Sequence, residues 1–392
     1  MTKLSEVIAK QADASVTLTK HVFLNAVKAG DRNVALSPLS VNIVMGMVAA
    51  GSKGQTRDSL LSFLNSDSTA DFDAFATHAV TKILSDASHS GGPCITAANG
   101  AWVEKTVNFN PPFKHLLENS YEAVCQSVDF RHQESQVVKD VNLWFEKKTC
   151  GLIKRAVDIR QFSPETILIL ANAIYFRGVW DDEFDKRCTR DTDFYLMNKT
   201  SVQAPFMSSS HKYRYVKAFK DFKTLRLPYK SSHDGGRQFS MFIILPNAID
   251  GLFTLMDVIT KNSGFLERHA PNKLVRVGRF RIPKFKINHG FDVSKTMWEL
   301  GVQLSGDDMR EMVVNLPKGI SIIPIITHKC VVDVHERGTE AVAFTGLGLG
   351  GCSRRIEEEK IDFVADHPFA FFIREDVSGA VVFVGAVLNP LL

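Results

Sequence analysis

Two stretches near the C-terminus hold the residue types that chemistry needs. Gly346-Leu347-Gly348-Leu349-Gly350-Gly351 satisfies G-x-G-x-x-G, the spacing that lets a tight turn press its backbone against a pyrophosphate. That use requires a helix N-terminus directly after the glycines. Here Cys352-Ser353-Arg354-Arg355 follows and about forty residues remain, too few for a nucleotide-binding half, so the glycines read as a flexible loop. His335-Glu336 begins like a zinc-binding H-E-x-x-H motif but continues Arg337-Gly338-Thr339, without the second histidine. There is no G-x-S-x-G elbow, and the twelve histidines are scattered. Nothing pairs a nucleophile with a base, so an enzyme is unsupported and no metal, nucleotide or other cofactor is implied.

The second stretch is 336–361, a long run of small residues of the kind that is normally functional inside a compact domain. Alternate residues Thr339, Ala341, Ala343, Thr345, Leu347 and Leu349 are small or apolar. The other parity holds Glu340, Val342, Phe344, Gly346, Gly348 and Gly350. In an extended chain, successive side chains point to opposite faces, and burying Glu340 unpaired would cost several kcal/mol. The first set is therefore the face a core would take. A period of two within a loop-like segment predicts two conformations, exposed tether and buried strand, beside the plainer reading of an ordinary exposed loop.

The elements around this stretch read as α+β. Leu18, Val22, Phe23, Ala26 and Val27 recur at helical spacing and stop at Gly30. Ser37-Pro38 predicts an N-cap with proline at the first helical position, and Val41 to Ala50 is apolar on nearly every face, as a buried helix is. Thr166 to Phe176 is a continuous apolar run of strand type. Leu225 to Pro228 and Phe239 to Leu245 flank Asp234-Gly235-Gly236 as a hairpin. Val275 to Ile287 alternates apolar and basic residues ahead of a helical stretch, Phe291 to Leu300. Val331 to Val334 and Val381 to Val387 read as strands. Helices first and strands later, without regular alternation, favour α+β over a doubly wound sheet.

Composition excludes several classes. The 392 residues are 45% hydrophobic and 23% charged, which is globular and not disordered. A net charge of +4 argues against nucleic acid as a partner, and no apolar run approaches the ~18 residues a membrane span needs. No repeat or linker divides residues 1–392, so a single domain is expected. The N-terminus lacks the apolar core of a secretory signal, and the six cysteines form no C-x-x-C pair. Both point to a reducing, cytoplasmic setting, extending to the nucleus.

The stretch Glu336-Arg337-Gly338-Thr339-Glu340-Ala341 resembles the proximal hinge of a serpin reactive loop. Asn33 to Ser40 is similar to the start of that family's buried helix. Asn142-Leu143-Trp144-Phe145, with Thr149, Gly151 and Ile153, resembles its helix F region, and Leu170 to Trp180 its central-sheet signature. Ile282-Pro283-Lys284-Phe285 and Asp366-His367-Pro368-Phe369 complete a set spread over nearly the whole chain, and Asp362 to Phe369 looks like the plant, intracellular branch in particular.

The resemblance implies three β-sheets surrounded by about nine helices, with an exposed reactive-centre loop at about 336–361. It implies a suicide inhibitor whose partner is a serine or cysteine endopeptidase, held as a covalent acyl complex by a monomer. Counting seventeen residues from Glu336, as the family does, gives the bait bond Cys352-Ser353, with Arg354 and Arg355 as a second register. The hinge would be Glu336, Arg337, Gly338, Thr339, Glu340, Ala341, Val342 and Ala343. Support for sheet opening would come from Glu336 with Lys284 near Trp180, and from Ser37, Ser40, Asn172 and His328. Val342 and Phe344 depart from the small residues usual there, and their bulk is expected to slow insertion. A cysteine bait suits a small or moderate apolar primary pocket. The alternative is a non-inhibitory serpin, a binding or storage protein whose loop is cut without trapping the protease.

Overall fold

A computed structural model describes residues 17–27, 32–163, 165–209, 211–232, 236–262, 264–322, 324–339 and 360–392. Its centre is a six-stranded sheet. In spatial order the strands are Phe285–Asp292, Ile325–His335, the two-residue Gly338–Thr339, Leu168–Val179, Cys94–Glu104 and Ala123–Val128. Leu168–Val179 is buried along nearly its whole length because both faces are covered, and so its sequence is apolar without alternation.

Each face packs against a different core. On one side Ile169, Ala171, Ala173 and Val331 meet the helix Glu134–Lys148 through Val137, Val141 and Phe145, side chains four residues apart on one helical stripe. Trp144 adds an edge contact to Trp102, ring centroids 5.5 Å apart. On the other side Leu168, Leu170, Ile174 and Phe176 join the main core, which includes the helix Pro38–Ala50. That helix is buried from Pro38 to Ala49, and Ser37 caps it by accepting the Ser40 N–H.

The remaining strands form a ten-stranded assembly and a two-stranded ribbon. Eight α-helices from Pro38 onward, with another at 17–27, surround the sheets, an α+β arrangement. Phe222–Pro228 and Phe239–Pro246 pair as an antiparallel hairpin, and Val381–Val387 lies in the same sheet. No described helix is long and apolar enough to cross a membrane.

Two local expectations change. Val275 to Ile287 is not one element: the chain crosses at Lys284 from Leu274–Pro283, in the larger assembly, to Phe285–Asp292, in the central sheet. The helix read from Phe291 is Val293–Glu299; Phe291 and Asp292 end the preceding strand, and Asp292 caps the helix by accepting the Lys295 N–H.

Candidate functional site at the top of the central sheet

Two long strands meet in the middle of the sheet. Ile325 to Val331 pairs in parallel with Ile169 to Tyr175. Beyond that point the strands separate, and Gly338–Thr339 fills the gap. It is antiparallel to Val334 and His335 on one side and to Val179 and Gly178 on the other. The chain has thus climbed Ile325–His335, turned at Glu336-Arg337, and begun to descend between its neighbours.

The turn is clamped. Trp180 donates its backbone N–H to the Arg337 carbonyl (2.8 Å) and its indole Nε1–H to the His335 carbonyl (2.9 Å), while the Phe184 N–H reaches the Glu336 carbonyl (2.8 Å). The Glu336 carboxylate accepts from Thr189 Oγ1 (2.8 Å) and pairs with Lys284 Nζ (3.1 Å). Burial works against this charge, but hydrogen bonds from its own backbone, Thr189 and Lys284 hold the carboxyl below its usual range. Gly338 is needed for close approach, because a Cβ there would collide with the Gly178 carbonyl oxygen and lie 2.8 Å from the Val179 Cα.

Thr339 is fully buried and shares a 2.9 Å hydrogen bond with the Tyr229 hydroxyl. Tyr229 stacks on Trp180, centroids 4.5 Å apart, and burial raises the pKa of its phenol. The entry point is therefore closely packed and buried, with the two hydroxyls satisfying each other.

A second polar cluster lies lower, where the two strands touch. Ser37 donates its backbone N–H to His328 Nε2 (3.2 Å), so that nitrogen is unprotonated. His328 Nδ1–H then donates to Asn172 Oδ1 (3.0 Å), which also accepts from the Ser40 hydroxyl. Asn172 Nδ2 donates to Asn99 Oδ1 (2.5 Å), and Asn99 Nδ2 to the Tyr121 carbonyl (2.8 Å). This chain of donors ties the helix start, both long strands and the strand Cys94–Glu104 together, and it needs a neutral His328.

Burial, reinforced by His289 and Lys329, pushes His328 down to about 3; burial likewise pushes His289 down to about 4. The unfolded chain therefore binds the proton more tightly, and stability contributed by His328 is complete above about pH 6.5 and lost as pH falls toward 3. At 1.36 kcal/mol per unit, the loss from this one group by pH 5 is about 2 kcal/mol. The guanidinium unfolding free energy of the intact protein should fall between pH 7 and 5, and in His328→Gln that fall should shrink by roughly the same amount. An unchanged fall in the variant would remove His328 from the linkage.

The serpin (serine protease inhibitor) family model matches residues 9–390. The chain belongs to the serpin family. It is 42% identical over 390 residues to Serpin-ZX of Arabidopsis thaliana, covering 98% of this chain and 99% of that protein. To Serpin-ZXA of Oryza sativa subsp. japonica it is 43% identical over 392 residues, covering 98% of each. Arabidopsis AtSerpin1, solved in a form described as native stressed, superposes with a TM-score of 0.90 at 40% identity over 100% of both chains. Serpins of this plant group are in general protease inhibitors.

In this serpin the residues singled out from sequence fall into two groups. Glu336, Lys284, Trp180, Gly338 and Thr339 meet at the top of the sheet, with Arg337 half-buried at the turn. Ser37, Ser40, Asn172 and His328 meet beneath it. Glu340, Ala341, Val342, Ala343, Cys352, Ser353, Arg354 and Arg355 lie outside the described residues. Sequence reasoning missed Tyr229, Thr189, Phe184, Asn99 and Tyr121. None stands in a motif with the residue it supports, and only the strand pairings bring them together.

Proposed function

We propose that this serpin is an irreversible, loop-inserting inhibitor of serine or cysteine endopeptidases. It acts as a monomer in a reducing compartment, with Cys352-Ser353 as the bait bond. The observation that carries the reading is Thr339: two residues of the hinge already sit as a strand between neighbours that are otherwise paired with each other. On this reading insertion continues the same register downward. Ala341 comes between Phe176 and Val332, Ala343 between Ile174 and Cys330, and Thr345 between Asn172 and His328. The parallel pairs from Ile325/Ile169 to Val331/Tyr175 separate as this happens. On the other face Val342 and Phe344 arrive opposite Tyr175 and Ala173, under the helix Glu134–Lys148, and their bulk slows insertion without forbidding it.

A new strand of about a dozen residues adds roughly a dozen backbone hydrogen bonds at ~0.5–1.5 kcal/mol each, on the order of 10 kcal/mol. This is comparable to the stability of a domain, so the uncleaved form is a kinetically held state. Sixteen strand steps of ~3.3 Å carry an acylated protease about 50 Å, far enough to strain it before it deacylates.

Incubation with a panel of trypsin-like, elastase-like and papain-like proteases tests this. At least one should form a complex that survives SDS, and mass spectrometry should place the cut after Cys352. Clean loop cleavage by every protease, with no complex, would instead mark a non-inhibitory serpin.

A further inference from the structure

One buried cation takes no part in the site described above. Arg214, on the strand Tyr213–Ala218, is 7% exposed, and its guanidinium reaches three other segments of the chain. Nη1–H donates to the Asp182 carboxylate, which is shared with His211 Nδ1 (2.7 Å), and Nη2–H donates to Ser209 Oγ (2.6 Å). The guanidinium carbon lies 5.2 Å from the centre of the Phe280 ring and 6.0 Å from that of Phe184. Those two rings are parallel, their centroids 6.0 Å apart. The Nε–H finds no acceptor among the described residues. Burial lowers the guanidinium to about 10, so it stays charged at neutral pH.

A buried charge with an unsatisfied N–H is a costly way to stabilise a fold, since well-packed apolar side chains of similar volume often do as well or better. The two rings show what this one joins. Asp182 and Phe184 belong to the segment that clamps the hinge, where the Phe184 N–H donates to the Glu336 carbonyl (2.8 Å). Phe280 serves the other end of the loop. It stands beside Phe363 in the parallel pairing with the returning strand Ile361–Val364, ring centroids 6.4 Å apart, and all three phenylalanines are buried. A single side chain therefore supports, at one remove, both the place where the loop leaves the sheet and the place where it returns.

We propose that Arg214 is a positioning residue that holds the two attachments of the loop together, and so makes insertion wait for cleavage. The inference rests on the loop-insertion reading above and deepens it. A cut loop has only its proximal end to release. An uncut loop must free the distal end as well. About a dozen inserted residues at ~3.3 Å each end about 40 Å below the entry, and the roughly ten steps left before Ile361 span at most about 36 Å. Ile361–Val364 pairs with Leu274–Pro283 alone among the described strands, and Asp362 adds contacts to Arg279 (2.9 Å) and, through its carbonyl, to Lys223 (3.0 Å). Packing behind Phe280 is thus a large share of what keeps the far end in place.

The test is hydrogen exchange of the full-length, uncut protein, read by mass spectrometry, for the wild type, Arg214→Met, Arg214→Lys and Asp182→Asn. In Arg214→Met, peptides spanning 336–339 and 361–364 should exchange at least about tenfold faster, both together, while Leu168–Val179 keeps its wild-type rate. Arg214→Lys keeps a charge for Asp182 but loses the fork, and should fall between. Asp182→Asn leaves the guanidinium and both rings in place; it should show the same paired change at smaller size, and it decides the matter if Arg214→Met does not fold. On standing below its unfolding temperature, uncut Arg214→Met should also pass to a more heat-stable form at least about tenfold faster than the wild type. Faster exchange at one end only, or at neither, would overturn the proposal. So would faster exchange throughout the central sheet, which would mark Arg214 as a general support of the fold. If nicking the wild type brings no rise in Tm, loop insertion fails by itself, because the paired exchange is read without cleavage and without a protease.

Discussion

Replacing Thr339 with arginine should convert the inhibitor into a substrate. The wild-type side chain is wholly buried and satisfied by Tyr229. Its strand neighbours Gly178 and Val334 carry no carboxylate to receive a guanidinium, and Glu336 is already held by Lys284 and Thr189. Burying an unpaired charge costs several kcal/mol, and the cost falls on the first step of insertion. A barrier raised by even 3 kcal/mol slows that step more than 100-fold, so deacylation wins. Before cleavage the damage is small, because only the two-residue strand Gly338–Thr339 need leave the sheet. The amount of inhibitor consumed per protease inactivated should rise at least tenfold, read as cleaved inhibitor against SDS-stable complex on a gel. Thr339→Ser, which keeps the hydroxyl, should trap as the wild type does. An arginine variant that traps undiminished would place Thr339 on the wrong face of the inserting strand.

How much of this was legible in sequence depended on whether a contact was local. The cap Ser37-Pro38 and the helix behind it could be read because capping and all-round apolarity are properties of neighbours in the chain. The run Thr166 to Phe176 was legible as a strand for a related reason: a strand covered on both faces has no polar parity to blur it. Cys94–Glu104 was not, because Ala97, Ala98, Gly100 and Ala101 are small where the sheet lies close beneath other elements, and small residues carry little strand preference. The break at Lys284 left only a local mark, Pro283 and a one-residue slip of the apolar parity between Ile282 and Phe285, while apolar and basic residues continue on both sides of it.

The site divides in the same way. Parity within 339–349 picked out the face on which Thr339 is found buried. No spacing rule could join Glu336 to Lys284, or Ser37 to His328, across hundreds or tens of residues; those pairings came from the family resemblance. Tyr229 was reachable by neither route. It serves the site only because it bridges to Trp180 at the edge of another sheet, a meeting that register alone decides.

The stored energy itself can be weighed. Loop-nicked protein, with both fragments retained, should unfold at a markedly higher temperature than the intact chain under the same buffer and scan rate. A gain on the order of 10 kcal/mol in a chain of this size corresponds to roughly 10 °C or more. Calorimetry of the two forms side by side is the most direct measurement: a large upward shift is what a spring released into the sheet requires, and coincident transitions would mean that no spring exists.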